Sequence, residues 1–566
     1  MKALGGTLVY ETLKSYGVRC IFGMEDPIHI FHAVDQTVTK IVTVRDEKHA
    51  AIMAHGFAQV TGRPGICAAT FGPGASNLAT GLLEALRSSV PVIALVQDHP
   101  LSLREKNASS FLDHASALAP YVKEVMRIDS VELTGTVLRR AFRVATTGKP
   151  GPIVVSCPTD VMAIEGECSV HAEDDYSSFP ALRSRSSREV IERAANLLAA
   201  AERPLIVAGG GAVISGAFEE IMEVAERFDA PVATTLTGRG AFPDRHPMAA
   251  GPLGSSVGGK YGRGQVANTL LDEADLVFLM GTRTGQLCFS DWTLPKPGVR
   301  VIHLDIDPTE IGRNFETALP MVGDIRDTLR DLLMYSKDQE IGRRHGDNGA
   351  RKGELLEAWR NDLAGLARST QIPIRPEAVI SAIDDCVDGD TLICVDASYV
   401  TNWVISNIDV PRAGRFVLSP RGTGGIGWAL PAAIGAKMGD AGRSVICVSG
   451  DGAFGYVFGE LETAARYEVN IVVVIFNNGT LGFQRHWEAK VMGSYLECDF
   501  LDIDHSKLAQ VLKCGGERVT SPADLSAALA RGLAYDGPYL IDAVVDPDAA
   551  APVIGMERPV PIGAAH

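Results

Sequence analysis

Short runs of consecutive apolar residues alternate with segments of helical period along most of the chain. Two clear runs are VICVSG at 445–450 and NIVVVIF at 470–476. Continuous apolar strands that alternate with helices are typical of parallel sheets covered on both faces. The pattern therefore predicts an α/β protein whose parallel sheets are flanked by helices.

Two polar, aperiodic segments interrupt this pattern, at 165–187 and at 336–353, although the second could instead open a charged helix. Interpreted as linkers, they separate an N-terminal domain (1–165), a middle domain (188–335) and a C-terminal domain (370–546). The remaining 547–566 forms a tail that contains Pro552, Pro559 and Pro561 and is expected to lie over a neighbouring surface. Residues 1–18 are predicted to form an amphipathic helix, without the apolar core of a signal peptide.

Composition narrows the range of partners and compartments. The 566 residues carry a formal net charge of -16, which argues against nucleic acid or an anionic membrane as a partner. No apolar stretch reaches the roughly 18–20 residues that span a bilayer. The ten cysteines are scattered without CxxC pairs, so neither disulfides nor zinc are expected, and a reducing cytoplasmic setting is the default.

The strongest local motif lies at the ends of the two apolar runs named above. Gly450-Asp451-Gly452 ends the first and Asn477-Asn478-Gly479 ends the second. If the strands are parallel neighbours, Asp451 and Asn478 face each other at one edge of the sheet. Carboxylate, amide and carbonyl oxygens suit Mg²⁺, and Gly452 lets the backbone approach a phosphate. Gly-Asp-Gly alone is equally typical of a structural turn, and its spacing from Asn478 favours the metal site.

This GDG turn, followed after residues 453–476 by two asparagines, resembles the signature of thiamine-diphosphate (ThDP) enzymes. The resemblance implies Asp451, Asn478 and the Thr480 carbonyl as Mg²⁺ ligands, with Gly452 and Ala453 beside the diphosphate. Residues 391–403 and 422–437 are similar to further parts of that site. There the resemblance implies diphosphate contacts from Tyr399 and Val400, a Gly424 carbonyl that binds the aminopyrimidine, and Ile426 as the apolar residue that bends the cofactor.

The N-terminal domain contains a matching carboxylate. Glu47 follows a short apolar run at 41–44, where it would by itself be interpreted as an acidic residue that favours a helix N-terminus. Residues 55–86 closely resemble the segment that follows the cofactor-binding glutamate of ThDP enzymes, which implies that Glu47 contacts the aminopyrimidine and assists activation of the cofactor. The turn that contains Pro73 is then expected to line the pocket across a subunit interface. Such sequences imply ThDP-binding folds at both ends of the chain and a Rossmann-like middle domain.

The resemblance covers nearly the whole chain and is nearest to acetolactate synthases, in a superfamily with benzaldehyde lyase and oxalyl-CoA decarboxylase. The sequence departs from acetolactate synthases at the family's Phe-Gln-Glu element, which here ends in His114, and at Leu287, where they have a second arginine. Histidines titrate near neutral pH, so His114 and His29 are candidate catalytic residues. For any single histidine a surface or core role is the more common one.

The middle domain has weaker signals. An apolar strand at 203–208 meets a glycine triplet that contains Gly210, and a second strand ends at Asp305. The resemblance associates Gly210, Arg283, Asp305 and Asp324 with FAD, although relatives of this kind bind FAD, ADP or nothing there. FAD is the preferred expectation and ADP the weaker one.

Together these features predict a ThDP- and Mg²⁺-dependent 2-ketoacid decarboxylase or carboligase. The resemblance implies pyruvate as the donor, and the absent second arginine favours an acceptor without a carboxylate. The family implies a homo-oligomer, either dimer or tetramer. Three alternatives stay open. One is a 2-hydroxyacyl-CoA lyase or oxalyl-CoA decarboxylase, with Arg558 of the tail closing over the thioester. The others are a flavin-redox enzyme like pyruvate oxidase and a non-catalytic paralogue that regulates a partner.

Overall fold

The computed structural model describes residues 1–104, 106–341 and 347–556. Its described residues form three six-stranded sheets in which every strand pair is parallel, together with one two-stranded antiparallel ribbon. Buried apolar clusters lie on both faces of the sheets, between strands and helices. The predicted α/β class is therefore confirmed. No helix in the described ranges is both long and apolar enough to cross a membrane.

The N-terminal sheet has the strand order β3-β2-β4-β5-β7-β6, and the antiparallel ribbon joins β1 to β8. The strands are β1 (Lys2–Leu4), β2 (Cys20–Gly23), β3 (Lys40–Thr43), β4 (Gly65–Ala69), β5 (Val92–Asp98), β6 (Glu124–Arg127), β7 (Ile153–Pro158) and β8 (Glu165–Glu167). The α-helices are α1 (Gly5–Ser15), α2 (Ile28–Phe31), α3 (Glu47–Thr61), α4 (Pro73–Asn77), α5 (Ala79–Arg87), α6 (His114–Leu118), α7 (Thr134–Thr146) and α8 (Thr159–Ala163).

The middle sheet has the order β11-β10-β9-β12-β13-β14, which is the 3-2-1-4-5-6 arrangement of a Rossmann fold. Its strands are β9 (Pro204–Ala208), β10 (Val232–Thr234), β11 (Ala249–Pro252), β12 (Leu276–Met280), β13 (Arg300–Asp305) and β14 (Leu319–Val322). Its helices are α9 (Arg188–Ala200), α10 (Gly210–Ser215), α11 (Phe218–Phe228), α12 (Gly264–Glu273) and α13 (Ile325–Asp338), and α14 (Asn348–Ala367) leads towards the next sheet.

The C-terminal sheet has the order β16-β15-β17-β18-β20-β19. Its strands are β15 (Thr391–Val395), β16 (Val417–Leu418), β17 (Ser444–Gly450), β18 (Val472–Asn477), β19 (Gly515–Val519) and β20 (Tyr539–Val544). Its helices are α15 (Pro376–Asp384), α16 (Tyr399–Asn407), α17 (Ala429–Gly439), α18 (Asp451–Phe454), α19 (Glu460–Arg466), α20 (Gly482–Met492), α21 (His505–Val511) and α22 (Leu525–Ala534). Numbered from the first strand of each sheet, the N- and C-terminal sheets both have the order 2-1-3-4-6-5.

The two outer domains pack directly on each other through α3 and α17. A Cβ on Gly56 would lie 2.3 Å from the carbonyl oxygen of Ala432, and one on Gly435 would lie 1.9 Å from that of Met53. Only glycine allows the two helix backbones to approach so closely. The interface is apolar and belongs to one continuous buried cluster that contains residues of both domains.

Several details differ from the sequence-based expectation. The first residues are not helical throughout, because Lys2–Leu4 pair with Glu165–Glu167, which lie in the segment expected to be an unstructured linker. The segment at 336–353 is partly helical, since α13 ends at Asp338 and α14 begins at Asn348. The described part of the tail is irregular and packs on the middle domain, where the Ile554 N–H donates to the Ser255 carbonyl at 2.8 Å. Pro559, Pro561 and Arg558 lie outside the described residues.

Candidate active site

The carboxyl edge of the C-terminal sheet brings the predicted metal ligands together. β17 and β18 are adjacent, with Gly450 paired to Phe476, so the turns that follow them lie side by side. The Asp451 carboxylate accepts a hydrogen bond from the Gly479 N–H at 2.8 Å. The Asn478 side-chain oxygen accepts one from the Thr480 N–H at 3.2 Å, which shapes the second turn. Parallel pairing therefore sets the carboxylate of one turn against the backbone of the other.

The oxygen donors at this edge fit a magnesium-bound diphosphate. They are the buried carboxylate of Asp451, the side-chain amide oxygen of Asn478 and the backbone carbonyl oxygen of Thr480. Mg²⁺ prefers oxygen donors of these kinds. A Cβ on Gly450 or Gly479 would meet nothing within 4 Å, so the space beside both turns is open. Burial raises the pKa of the Asp451 carboxyl to about 6. Gly452 and Ala453 lie within the short helix α18, which begins at Asp451 beside this space.

A second loop is held against this edge by a residue that the sequence-based reasoning missed. Asp396 follows β15 and is fully buried, and its carboxylate accepts hydrogen bonds at 2.8–3.0 Å from the N–H groups of Ala397, Gly427, Trp428 and Ala429. An acidic residue directly after the apolar strand TLICV was the available signal. Asp396 thereby fixes the end of the loop that carries the predicted aminopyrimidine contacts.

That loop presents its predicted contact residues to open space. Gly424 has a φ of +77° and a Cβ there would meet nothing within 4 Å, while Ile426 is 36% exposed although it is apolar. The other end of the loop is bound to the N-terminal domain, because the Glu84 carboxylate accepts hydrogen bonds from the N–H groups of Gly422 and Thr423 at 2.8 and 2.7 Å. An exposed apolar side chain on a loop anchored at both ends is suited to contact a ligand.

The predicted diphosphate contacts at the start of α16 have buried side chains. Tyr399 hydrogen-bonds through its hydroxyl to His486 Nδ1 at 3.1 Å, and Val400 belongs to the apolar core. Because both side chains are buried, these two residues would contact an anion at the sheet edge through the backbone N–H groups of the helix N-terminus.

Glu47 begins α3 at the carboxyl edge of the N-terminal sheet. The preceding Asp46 caps the helix by accepting from the Lys48 N–H at 2.8 Å. The Glu47 carboxylate is buried and accepts from Asn77 Nδ2 at 3.0 Å. A Cβ on Gly74 would lie 3.0 Å from Glu47 Oε1, so the turn through Pro73 packs directly on this carboxylate. Asn77 was not singled out from the sequence, where no local signal identifies it.

The two histidine candidates occupy different environments. His114 is buried, with Nδ1 2.8 Å from the Ser156 hydroxyl, and its Nε2 has no hydrogen-bond partner in the described part of the chain. Burial lowers the pKa of His114. His29 lies on α2 and is half-buried, with its backbone against Gly6. His29 follows β2 and His114 follows β5, both strands of the sheet at whose carboxyl edge Glu47 lies. No described hydrogen bond joins either histidine to Glu47.

The middle-domain cavity has a volume of about 340 Å³ and lies where the strand order reverses between β9 and β12, with residues 87–89, 148–150 and 421–424 of the outer domains completing its lining. Nucleotides bind at such switch points. The glycine triplet packs tightly there, because a Cβ on Gly209 would lie 2.3 Å from the Gly281 carbonyl oxygen. Gly210, Arg283, Asp305 and Asp324 all line this cavity.

The charged residues of the cavity differ in how far they are free for a ligand. Burial raises the pKa of Asp305 to about 6. Asp324 is already engaged, since it accepts hydrogen bonds from Arg183 Nη1 and Ser215 Oγ at 2.8 and 2.9 Å and caps α13. Arg283 donates to the carbonyl oxygens of Arg87, Arg421 and Gly422 at 3.0–3.1 Å. It thus joins the cavity to the loop that carries Gly424.

Three family models match the chain in the order that the fold shows. Residues 4–117 match the thiamine pyrophosphate enzyme N-terminal TPP binding domain, and residues 191–332 match the central domain. Residues 396–543 match the C-terminal TPP binding domain. Thiamine pyrophosphate is another name for thiamine diphosphate, and the three matches lie on the three parallel sheets.

Curated relatives agree with these models over almost the full chain. A probable acetolactate synthase large subunit of Methanocaldococcus jannaschii is 33% identical, over 97% of this chain and 93% of the relative. An acetolactate synthase of Arthrospira platensis is 33% identical over 97% and 95%. The acetolactate synthase isozyme 3 large subunit of Escherichia coli is 30% identical over 94% and 92%. The chain belongs to the thiamine-diphosphate enzyme family and is similar to its acetolactate synthases.

Proposed function

We propose that the protein is a ThDP- and Mg²⁺-dependent enzyme that decarboxylates a 2-ketoacid such as pyruvate and joins the remaining fragment to an acceptor. The observation that carries this proposal is the oxygen-donor edge formed by Asp451, Asn478 and Thr480 at the ends of two adjacent parallel strands. Bound ThDP would supply the electron sink that decarboxylation requires. The residues of the chain bind, orient and exchange protons with the reactants.

Glu47 is the residue we assign to proton exchange with the aminopyrimidine. Its carboxylate accepts a hydrogen bond from the Asn77 side chain and lies against the Gly74 backbone, so it is held in place while it remains buried. A buried carboxylate in apolar surroundings can share a proton with a ring nitrogen. We assign a second proton-transfer role to His114, whose buried Nε2 has no hydrogen-bond partner among the residues that the structure describes.

The acceptor is proposed to lack a carboxylate. Leu287 occupies the place of the second arginine expected from acetolactate synthases, and it is half-exposed in the middle-domain cavity. The nearby Arg283 is engaged with three backbone carbonyls. An apolar side chain cannot pair with a carboxylate, so an aldehyde or an uncharged ketone suits the site better than a second ketoacid.

The middle-domain cavity is proposed to hold FAD, with ADP as the weaker candidate. The Gly209 and Gly281 backbones pack closely at the switch point, and Gly210, Arg283 and Asp305 line the space beside them. These residues fit a dinucleotide. Bound flavin that is reduced by pyruvate would favour a pyruvate-oxidase-like enzyme instead, and selective binding of an acyl-CoA would favour the CoA lyases.

We further propose a homo-oligomer in which Glu47 of one chain meets the metal edge of another. Within a chain, the side-chain contacts described for Glu47 are with its own domain. Large apolar side chains around the metal edge are exposed in the single chain, as a surface covered by a second copy would be. They are Leu481, Phe483, Trp487, Phe500 and Leu501.

The test is pyruvate consumption by purified protein with ThDP and Mg²⁺, with products identified by NMR in the presence of acetaldehyde. We expect CO₂ release and an uncharged hydroxyketone, and loss of both in Glu47→Gln. The matched control is Glu11→Gln, at an N-terminal-domain glutamate on α1 that pairs with Lys14. This substitution should leave turnover unchanged. Acetolactate as the main product would contradict the assignment of the acceptor. Absence of turnover despite bound ThDP would contradict pyruvate as the donor.

A further inference from the structure

His99 is a buried histidine at the carboxyl edge of the N-terminal sheet, directly after β5. The residue is 6% exposed, and its backbone N–H donates to the Asp98 carboxylate at 2.8 Å. Its ring packs against Phe71, with 4.2 Å between ring centroids, and lies 5.8 Å from the ring of Phe111. These contacts fix both the backbone and the plane of the imidazole.

The contacts of the ring also determine which nitrogen carries the hydrogen. His99 Nε2 lies 2.8 Å from the carbonyl oxygen of Ser109. A carbonyl oxygen can only accept, so Nε2 donates, and in the neutral ring Nδ1 is left as a bare acceptor. Nδ1 is buried and has no hydrogen-bond partner among the described residues. Buried polar atoms in native proteins are rarely left unpaired, so this atom points to a ligand that donates a hydrogen bond.

The position of His99 is continuous with the surroundings of Glu47. Phe71, which packs on the His99 ring, immediately precedes Gly72, and a Cβ on Gly72 would lie 2.4 Å from the Ser110 carbonyl oxygen. Two residues further along the turn, a Cβ on Gly74 would lie 3.0 Å from Glu47 Oε1. One wall of backbone therefore joins the His99 ring to the carboxylate assigned to the cofactor.

We propose that His99 is a specificity-determining residue, whose Nδ1 accepts a hydrogen bond from a hydroxyl group of the substrate. The proposal rests on the proposed function and names the class of its acceptor, which is carbonyl compounds with a hydroxyl on the neighbouring carbon. A methyl group of the same size leaves the lone pair unpaired, and a site built to bind a hydroxyl discriminates strongly against such an analogue. The Nε2 of His114, which also lacks a hydrogen-bond partner within the described ranges, imposes no such choice, because the Ser156 hydroxyl on the other ring nitrogen can donate or accept.

The experiment compares hydroxyacetone with 2-butanone, which differ by a hydroxyl in place of a methyl group. Saturation-transfer NMR titrations yield a Kd for each compound on the holoprotein with ThDP and Mg²⁺. The Glu47→Gln background prevents consumption of the ligand. His99→Phe keeps an aromatic ring against Phe71 and removes the acceptor. His32→Phe, at an exposed histidine of the same domain, is the matched control.

We expect hydroxyacetone to bind at least about tenfold more tightly than 2-butanone when His99 is present, including in the His32→Phe control. In His99→Phe the two Kd values should agree within about twofold, through weaker binding of hydroxyacetone alone. Equal Kd values in the protein that retains His99, or an unchanged ratio in His99→Phe, would overturn the proposal. If His99→Phe does not bind ThDP, His99→Leu replaces it in the same comparison.

Failure of the proposed function would have a different signature. A protein that prefers hydroxyacetone through His99 but does not turn over pyruvate would retain the substrate class and lose the ketoacid donor. A protein that turns over pyruvate but does not distinguish the two ketones would lose only the role of His99.

Discussion

Replacing Asp396 with asparagine should weaken cofactor binding without altering any proposed ligand of the cofactor. Asp396 is fully buried and each carboxylate oxygen accepts two backbone N–H groups. An asparagine amide presents NH₂ on one side, so two N–H groups lose their acceptor and face another donor. A buried unsatisfied donor costs about 1–3 kcal/mol, which amounts to about 2–6 kcal/mol for the pair.

This energy acts on the loop that carries Gly424 and Ile426, because three of the four N–H groups lie at its end. We therefore expect the Kd for ThDP, measured by fluorescence titration with Mg²⁺, to rise at least about tenfold, which corresponds to 1.4 kcal/mol. The control is Asp390→Asn, an exposed aspartate of the same domain paired with Arg412, for which little change is expected. An Asp396→Asn protein that binds ThDP as tightly as the wild type would refute the reasoning.

Two further predictions concern the interface between the outer domains. Gly435→Val should lower the thermal unfolding temperature, because the valine side chain would collide with the Met53 carbonyl between α3 and α17. The control is Gly365→Ala, which should leave this temperature unchanged because a Cβ on Gly365 would meet nothing within 4 Å. Equal unfolding temperatures for Gly435→Val and wild type would contradict the packing. Burial lowers the pKa of His55 from 6.5 to about 3. The unfolded chain therefore binds this proton more readily, and stability present above pH 6.5 should be lost as the pH falls from 6.5 towards 3. Urea unfolding across that range should show a shallower loss in His55→Gln, and an identical pH profile would argue against a buried neutral histidine.

The parts of the fold that follow from local pattern were predictable from the sequence. Continuous apolar strands with helices between them indicate parallel sheets, and the turns at Asp451 and Asn478 come together because parallel neighbours end at one edge. The antiparallel ribbon was not predictable in this way. Lys2–Leu4 and Glu165–Glu167 pair across most of the N-terminal domain, and neither segment has a strand pattern of its own.

The supporting residues of the site were missed for a related reason. Asp396, Glu84 and Asn77 each hydrogen-bond a group that lies from 30 to more than 300 positions away, and Glu84 and Gly422 are 338 positions apart. Their side chains are ordinary ones for a turn or a helix, and only tertiary packing gives them partners. His99 is similar, because its Nδ1 is identified as an acceptor only through the hydrogen bond that its Nε2 donates to the Ser109 carbonyl.

We propose that Asp451 holds the Mg²⁺-bound cofactor whereas Glu47 acts on it after binding. The most direct test measures both the Kd for ThDP with Mg²⁺ and the rate of pyruvate consumption at saturating cofactor in wild type, Asp451→Asn and Glu47→Gln. We predict that Asp451→Asn loses Mg²⁺-dependent ThDP binding, while Glu47→Gln still binds ThDP but consumes pyruvate at least about a hundredfold more slowly. Undiminished binding by Asp451→Asn, or wild-type turnover by Glu47→Gln, would contradict the account.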